Sequence, residues 1–153
     1  MRLLPFLALP LLLGACAGGG VAPGTDVRAI VAECRQNRVS LPGATTFTGE
    51  TLVQSGAPNV QAFLVTRVPG LSTDGTGRIF AFSRVNDRPE PTVVAVDGRR
   101  IDEASTQLLI DMTPAEVAFI DVTRSTAATA FGFDARNGAI AVYTRQGCGL
   151  SPR

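Results

Sequence analysis

Few groups in this chain could do chemistry, and their types already narrow the choices. A hydrolytic site needs a nucleophile and a base, and the base is most often His. The 153 residues include no His, and every basic residue is an Arg. Paired carboxylates are the remaining route to acid–base work, and Asp97, Asp102, Glu103 and Asp111 gather in one stretch of chain. Asp97 precedes Gly98 as turn residues do, while Asp102 and Glu103 suit the first turn of a helix, where the macrodipole favours negative charge. Those roles account for the carboxylates without catalysis. The stretch GTGR, residues 75–78, is too short for a phosphate loop and has no companion Lys, so it reads as a loop approaching a strand. Arg99 and Arg100 are adjacent, and guanidinium forks suit contact with an anion, although two arginines on a turn also make ordinary solvated surface. The expectation is a non-enzymatic protein without cofactor or metal; zinc is disfavoured by the lack of His. A net charge of +1 supplies no electrostatic case for nucleic acid as a partner.

The three cysteines divide into one and two. The chain opens MRLLPFLALPLLLGAC, with one early Arg, an apolar run over residues 3–13 and then small residues, which is the layout of a secretory signal peptide over residues 1–15. That run is about half the ~20 residues a membrane-crossing helix needs. Its Leu13-Gly14-Ala15-Cys16 ending resembles the lipobox of bacterial lipoproteins, which implies lipidation of Cys16 after cleavage; an ordinary signal cut nearby is the alternative. Residue 17 is Ala rather than the Asp that retains such lipoproteins in the inner membrane, so the resemblance implies an outer-membrane anchor, with the domain facing the periplasm. Residues 16–26, rich in Gly, Ala and Pro, read as a flexible tether. Cys34 and Cys148 remain as an even pair in an exported chain, expected either as a disulfide or as two separately buried thiols.

The positioning elements follow from periodicity. Val27, Ile30, Val31 and Cys34 recur at i, i+3, i+4 and i+7, predicting a helix over residues 27–38 with Cys34 on its apolar face. The Thr-, Gly- and Pro-rich stretch over residues 39–58 reads as loop, with a short strand at residues 50–54. Residues 60–68 fit both helix and strand; Asn59 as N-cap and Pro69-Gly70 as a stop favour helix. Strands are expected over residues 78–85 and 93–96, the latter closed by an Asp97-Gly98 turn. A helical stripe of Leu108, Leu109 and Met112 follows, and Thr113, Pro114 and Glu116 make a capping-box start. Strand composition over residues 117–123, a small-residue helix over 125–131 and a last strand over 139–144 complete an α+β domain with a small mixed sheet of about four short strands and several short helices. The last crossover is long enough to join parallel neighbours.

VPGLS at residues 68–72, VVAVDGRRI at 93–101 and TPAEVAFIDVTRSTAATAFGFDARNGAIAVYTRQG at 113–147 together resemble, in order and spacing, the plug domain of TonB-dependent outer-membrane receptors. The resemblance is strongest over residues 59–147 and implies a plug-like domain over 27–153 that acts as a binding or interaction module. In the family a transmembrane barrel follows the plug, whereas this chain continues only six residues past Gly147, so a stand-alone plug without barrel is expected. A separate barrel or an energy-coupling protein is then the implied envelope partner; the alternative is a structural envelope lipoprotein with no role in transport. Glu50-Thr51-Leu52-Val53 echoes the family's energy-coupling box, but so short a stretch equally fits a strand or loop edge. The Cys34 and Cys148 pair is not a general plug feature and suggests stabilisation of a domain without a surrounding barrel. Besides Arg99 and Arg100, the loop residues Phe131, Phe133, Asp134, Arg136 and Asn137 are the candidate contact surface.

Overall fold

The computed structural model describes residues 27–38, 41, 43–74, 80–85, 88–102, 106–124 and 137–151. The expected signal peptide, tether and Cys16, the GTGR stretch, Glu103, the helix at 125–131 and the loop residues Phe131, Phe133, Asp134 and Arg136 lie outside them.

A five-stranded mixed sheet organises the domain, in the order β1 (Thr45–Thr48), β8 (Val117–Thr123), β9 (Ala139–Thr144), β6 (Val93–Val96) and β7 (Arg99–Ile101). The β8 and β9 strands are antiparallel, and the parallel neighbour of β9 is β6. The final crossover therefore joins antiparallel neighbours, against the parallel alternative raised by its length. Two short ladders lie apart from this sheet, β2 (Ser72–Thr73) with β3 (Phe80–Ala81), and β4 (Ser83–Val85) with β5 (Arg88–Glu90). What reads as one strand over residues 78–85 is thus divided at Phe82, because its two halves pair with different partners.

Helices cover both faces of the sheet. On one face, α2 (Gly49–Gln54), α3 (Val60–Arg67) and α4 (Gln107–Asp111) bury Leu52, Phe63, Leu64 and Leu109 against Ile120, Ile140 and Val142. Each such fully buried side chain contributes about 1.5 to 3 kcal/mol of transfer free energy. Phe47 meets Phe63 edge to face, with ring centroids 5.3 Å apart. Asn59 caps α3 as expected, its Oδ1 accepting from the Ala62 N–H at 2.8 Å. In α4 Leu109 points inward and Met112 is buried just beyond it, but Leu108 is exposed, which corrects the expected stripe.

The second face carries α1 (Val27–Gln36) and the C-terminal turn, which enclose Cys34, Leu41, Phe119, Tyr143 and Leu150. Small residues Ala139 and Ala141 of β9 belong to this layer and leave room for the cover to approach closely. Phe119 stacks on Tyr143 at 4.5 Å between centroids. A register irregularity between Val117 and Phe119 places Ala118 in this layer too, whereas simple alternation would have grouped it with Ile120 and Val122.

Two elements differ in kind from the sequence expectation. Residues 45–48, read as loop, form edge strand β1, and the strand expected at 50–54 is helix α2. Thr48 ends the strand and caps the helix, its Oγ1 accepting from the Thr51 N–H at 3.3 Å. Gly49 sits against the Val117 carbonyl, where a Cβ would collide with backbone, so only glycine lets α2 begin this close to β8. Among the described residues no helix is long and apolar enough to cross a membrane.

Candidate interaction surface

The Asp97-Gly98 turn joins β6 to β7 with both residues at positive φ, 50° and 81°, the geometry of a two-residue hairpin turn that follows strand twist. The Asp97 N–H donates to the Val142 carbonyl at 2.9 Å and prolongs the β6–β9 ladder. Its carboxylate reaches across to β9, where Oδ1 accepts from the Thr144 N–H at 2.8 Å and Oδ2 from the Thr144 hydroxyl at 2.7 Å. The Thr144 oxygen in turn accepts from the Gly147 N–H at 2.8 Å. A Cβ on residue 147 would run into the Asp97 carboxylate and displace it from its Thr144 donors. The Arg38 guanidinium, just past α1, donates to the Gly147 carbonyl at 2.5 Å and to that of Asp97 at 3.5 Å. With both oxygens engaged, the Asp97 carboxylate is a structural acceptor, in keeping with its place in a turn.

The disulfide completes this end of the domain. Cys34 on α1 is bonded to Cys148, 114 residues away in sequence, with Cα atoms 5.4 Å apart. Of the two arrangements open from sequence, the cysteines adopt the disulfide. The C-terminal turn is further held by Arg145, whose Nε donates to the Ser151 carbonyl at 2.9 Å, and by the Leu150 N–H, which donates to the Arg145 carbonyl at 2.7 Å.

The remaining candidate residues divide between the ends of the sheet. Arg99 and Arg100 are exposed on edge strand β7 rather than on a turn, opposite Val96 and Ala95. Asn137 is half-buried before β9, its carbonyl accepting from the Thr92 hydroxyl at 3.2 Å. Because Val93 neighbours Ala139 and Val96 neighbours Arg99, the arginine end and the Asn137 end are about 10 Å apart along β6 at a strand's rise per residue. Among the other carboxylates, Asp102 is exposed, and Asp111 accepts from the Gln107 side chain at 3.4 Å on α4. No three His, Cys, Asp or Glu residues among those described gather as a metal site. Glu50 to Val53 lie in α2, where Leu52 is wholly buried and Glu50 faces Arg28 at 3.7 Å.

One polar cluster escaped the sequence reading. Asp121 is buried in β8 and accepts from the Thr46 hydroxyl at 2.5 Å, while the Arg35 guanidinium of α1 donates to that same hydroxyl oxygen at 2.7 Å. Burial, reinforced by the negative charge of Asp121, holds the nearby Tyr143 phenol above its ordinary pKa. The signal was an isolated Asp inside the apolar run AFIDVT, a polar group that a buried strand tolerates only with a partner.

A small mixed sheet with helices on both faces, tied at one end by the Asp97 carboxylate, is the α+β fold of the domain. The chain belongs to the TonB-dependent receptor plug domain family, which it matches over residues 37–139. Both α1 and the disulfide's second cysteine lie beyond that matched stretch. Among solved structures it is similar to the ferric enterobactin receptor PfeA of Pseudomonas aeruginosa in complex with BCV-L6, at 21% identity and a TM-score of 0.51 over 69% of this chain and 18% of that one. It is also similar to the siderophore receptor PirA of the same organism, at 24% identity and a TM-score of 0.48 over 69% of this chain and 19% of that one. The chain thus spans about a fifth of the length of these receptors. No curated protein matches it by sequence. Membership ties the domain to outer-membrane receptors, which are transport proteins rather than enzymes.

Proposed function

We propose that this protein is a lipid-anchored plug-like domain of the outer membrane, carried on Cys16 and facing the periplasm, that serves as a non-enzymatic interaction module for a separate envelope protein. The observation that carries the reading is the position of the staple: α1 and Cys148 lie outside the family's matched stretch, yet they cover one sheet face and are bonded to each other. In the stand-alone reading, that added layer stabilises a plug fold that no barrel encloses. A separate barrel or an energy-coupling protein is the partner class that family membership favours. The exposed β7 edge with Arg99 and Arg100, and the segment containing Phe131, Phe133, Asp134, Arg136 and Asn137, are the surfaces assigned to it.

The test is site-directed photo-crosslinking in intact cells from position 100 and from position 133, with identification of the adducts, beside fractionation of parent and Cys16→Ser strains. A specific adduct with an outer-membrane barrel or an energy-coupling protein, and release of Cys16→Ser from the membrane fraction, are expected. Membrane retention without Cys16 would remove the lipid anchor. Absence of any specific adduct, with altered envelope integrity and unchanged uptake in a deletion strain, would instead establish the purely structural lipoprotein.

A further inference from the structure

We infer that the groove between α1 and the β1–α2 corner is a binding site for a small amphipathic monoanion, an aliphatic carboxylate whose chain lies on the sheet and whose head meets the guanidinium rim. This inference is independent of the partner proposed above.

The groove has a volume of about 400 Å³, within the several hundred Å³ typical of small-molecule sites. Its floor is Ala118 and Phe119 of β8, and its walls are Val31 and Ala32 of α1 on one side and Val53 and Ala115 on the other. Val53 is 46% exposed at the wall, where it presents apolar surface to the groove. Among the described residues, the α1 layer leaves at this end of the sheet face a trough with an apolar interior.

Charge selects the kind of occupant. Arg28, Arg35 and Arg145 border the groove, against Glu50 at the rim and the buried Asp121 behind Thr46. The lining itself is cationic, three guanidinium groups against one carboxylate, which suits an acidic head. Arg35 spends one guanidinium nitrogen on the Thr46 hydroxyl at 2.7 Å, and that bond fixes the planar fork across the groove rather than leaving it to wander in solvent. An apolar body is needed as well, because an exposed guanidinium alone gives an anion little in water. A carboxylate whose tail fills the trough gains burial and meets a donor already oriented.

Decanoate is the probe, with decanol as its uncharged counterpart and acetate as the head alone, titrated calorimetrically into the full chain carrying Cys16→Ser and purified without detergent. One decanoate per chain is expected, with no acetate binding and decanol at least about tenfold weaker, as loss of one charge-assisted contact implies. Arg35→Gln should weaken decanoate about tenfold and leave decanol unchanged. Ala32→Trp, an exposed position on the wall, should abolish binding of both while keeping the parent's urea midpoint, which separates blocking from unfolding. Decanol binding as tight as decanoate, unchanged decanoate binding in Ala32→Trp with the fold intact, or no decanoate binding by the parent would each overturn the inference.

Discussion

Asp97 offers a perturbation whose cost can be divided into parts. Its carboxylate accepts two hydrogen bonds from Thr144, at 2.8 and 2.7 Å, and its backbone sits at a φ of 50° that most side chains avoid. Hydrogen bonds to a charged acceptor contribute about 1.5 to 3 kcal/mol each, and partial solvent access brings the pair to the lower end, about 3 kcal/mol. Asp97→Gly removes the acceptor but keeps the backbone comfortable, so it should cost about 3 kcal/mol. Asp97→Ala adds the left-handed penalty of about 1 kcal/mol. Asp97→Asn tolerates the same φ and keeps one acceptor for the Thr144 N–H, so about 1 kcal/mol should suffice. Urea unfolding followed by far-UV circular dichroism reads the series, and at a typical urea slope the Gly variant should lose about 1 to 2 M in midpoint. Asn and Gly variants of equal stability would refute the carboxylate's role. Ala and Gly variants of equal stability would refute the strain assignment.

The other predictions concern the staple, the core and two titrating groups. Replacing Cys34 and Cys148 together with Ala frees a loop of 114 residues' separation and should cost about 4 to 5 kcal/mol on the chain-entropy account, seen as a lowered urea midpoint; a loss under about 1 kcal/mol would contradict it. Gly49→Ala must push α2 away from the Val117 carbonyl and should destabilise by about 2 kcal/mol or more in the same assay. The chain has one Tyr and no Trp, so tyrosinate absorbance reports Tyr143 alone. Its native midpoint should lie above 10.0, because burial first and Asp121 second disfavour the anion. A raised folded pKa means that this contribution to stability is complete below the ordinary value and is lost as pH rises through the folded one. Glu116 runs the opposite way: the Thr113 hydroxyl and N–H each donate to its Oε2 at 2.7 Å and lower its pKa. Its small, solvent-screened contribution is present above the ordinary carboxylate pKa and lost as pH falls through the lowered one, so Glu116→Gln should flatten the acid limb of a stability profile slightly.

Much of the fold was legible where one residue type allows one local solution. Asn59 ahead of an apolar run and Pro69-Gly70 behind it delimit α3, and the unbroken apolar run of β6 announces a strand buried on both faces. The Asp97-Gly98 pair announces its hairpin turn. The motifs spaced along residues 68–147 are enough to place the family. Short elements were not legible: four residues of β1 and six of α2 carry too few turns or alternations for periodicity to separate them, and a glycine accommodating a carbonyl of a distant strand decides the boundary. The same holds for Leu108, exposed because α4 packs through Leu109.

By itself, then, the sequence determined which segments are apolar enough to be core, where the chain must turn, the absence of His that turns attention from catalysis to binding, and the family. Only the tertiary structure decided that β9 lies between β8 and β6, that Asp97 is spent on Thr144, that the two cysteines meet, and that α1 leaves a cationic-rimmed trough on the sheet. These are contacts between residues tens of positions apart. Local propensity is silent about them because their free energy exists only once distant surfaces are brought together.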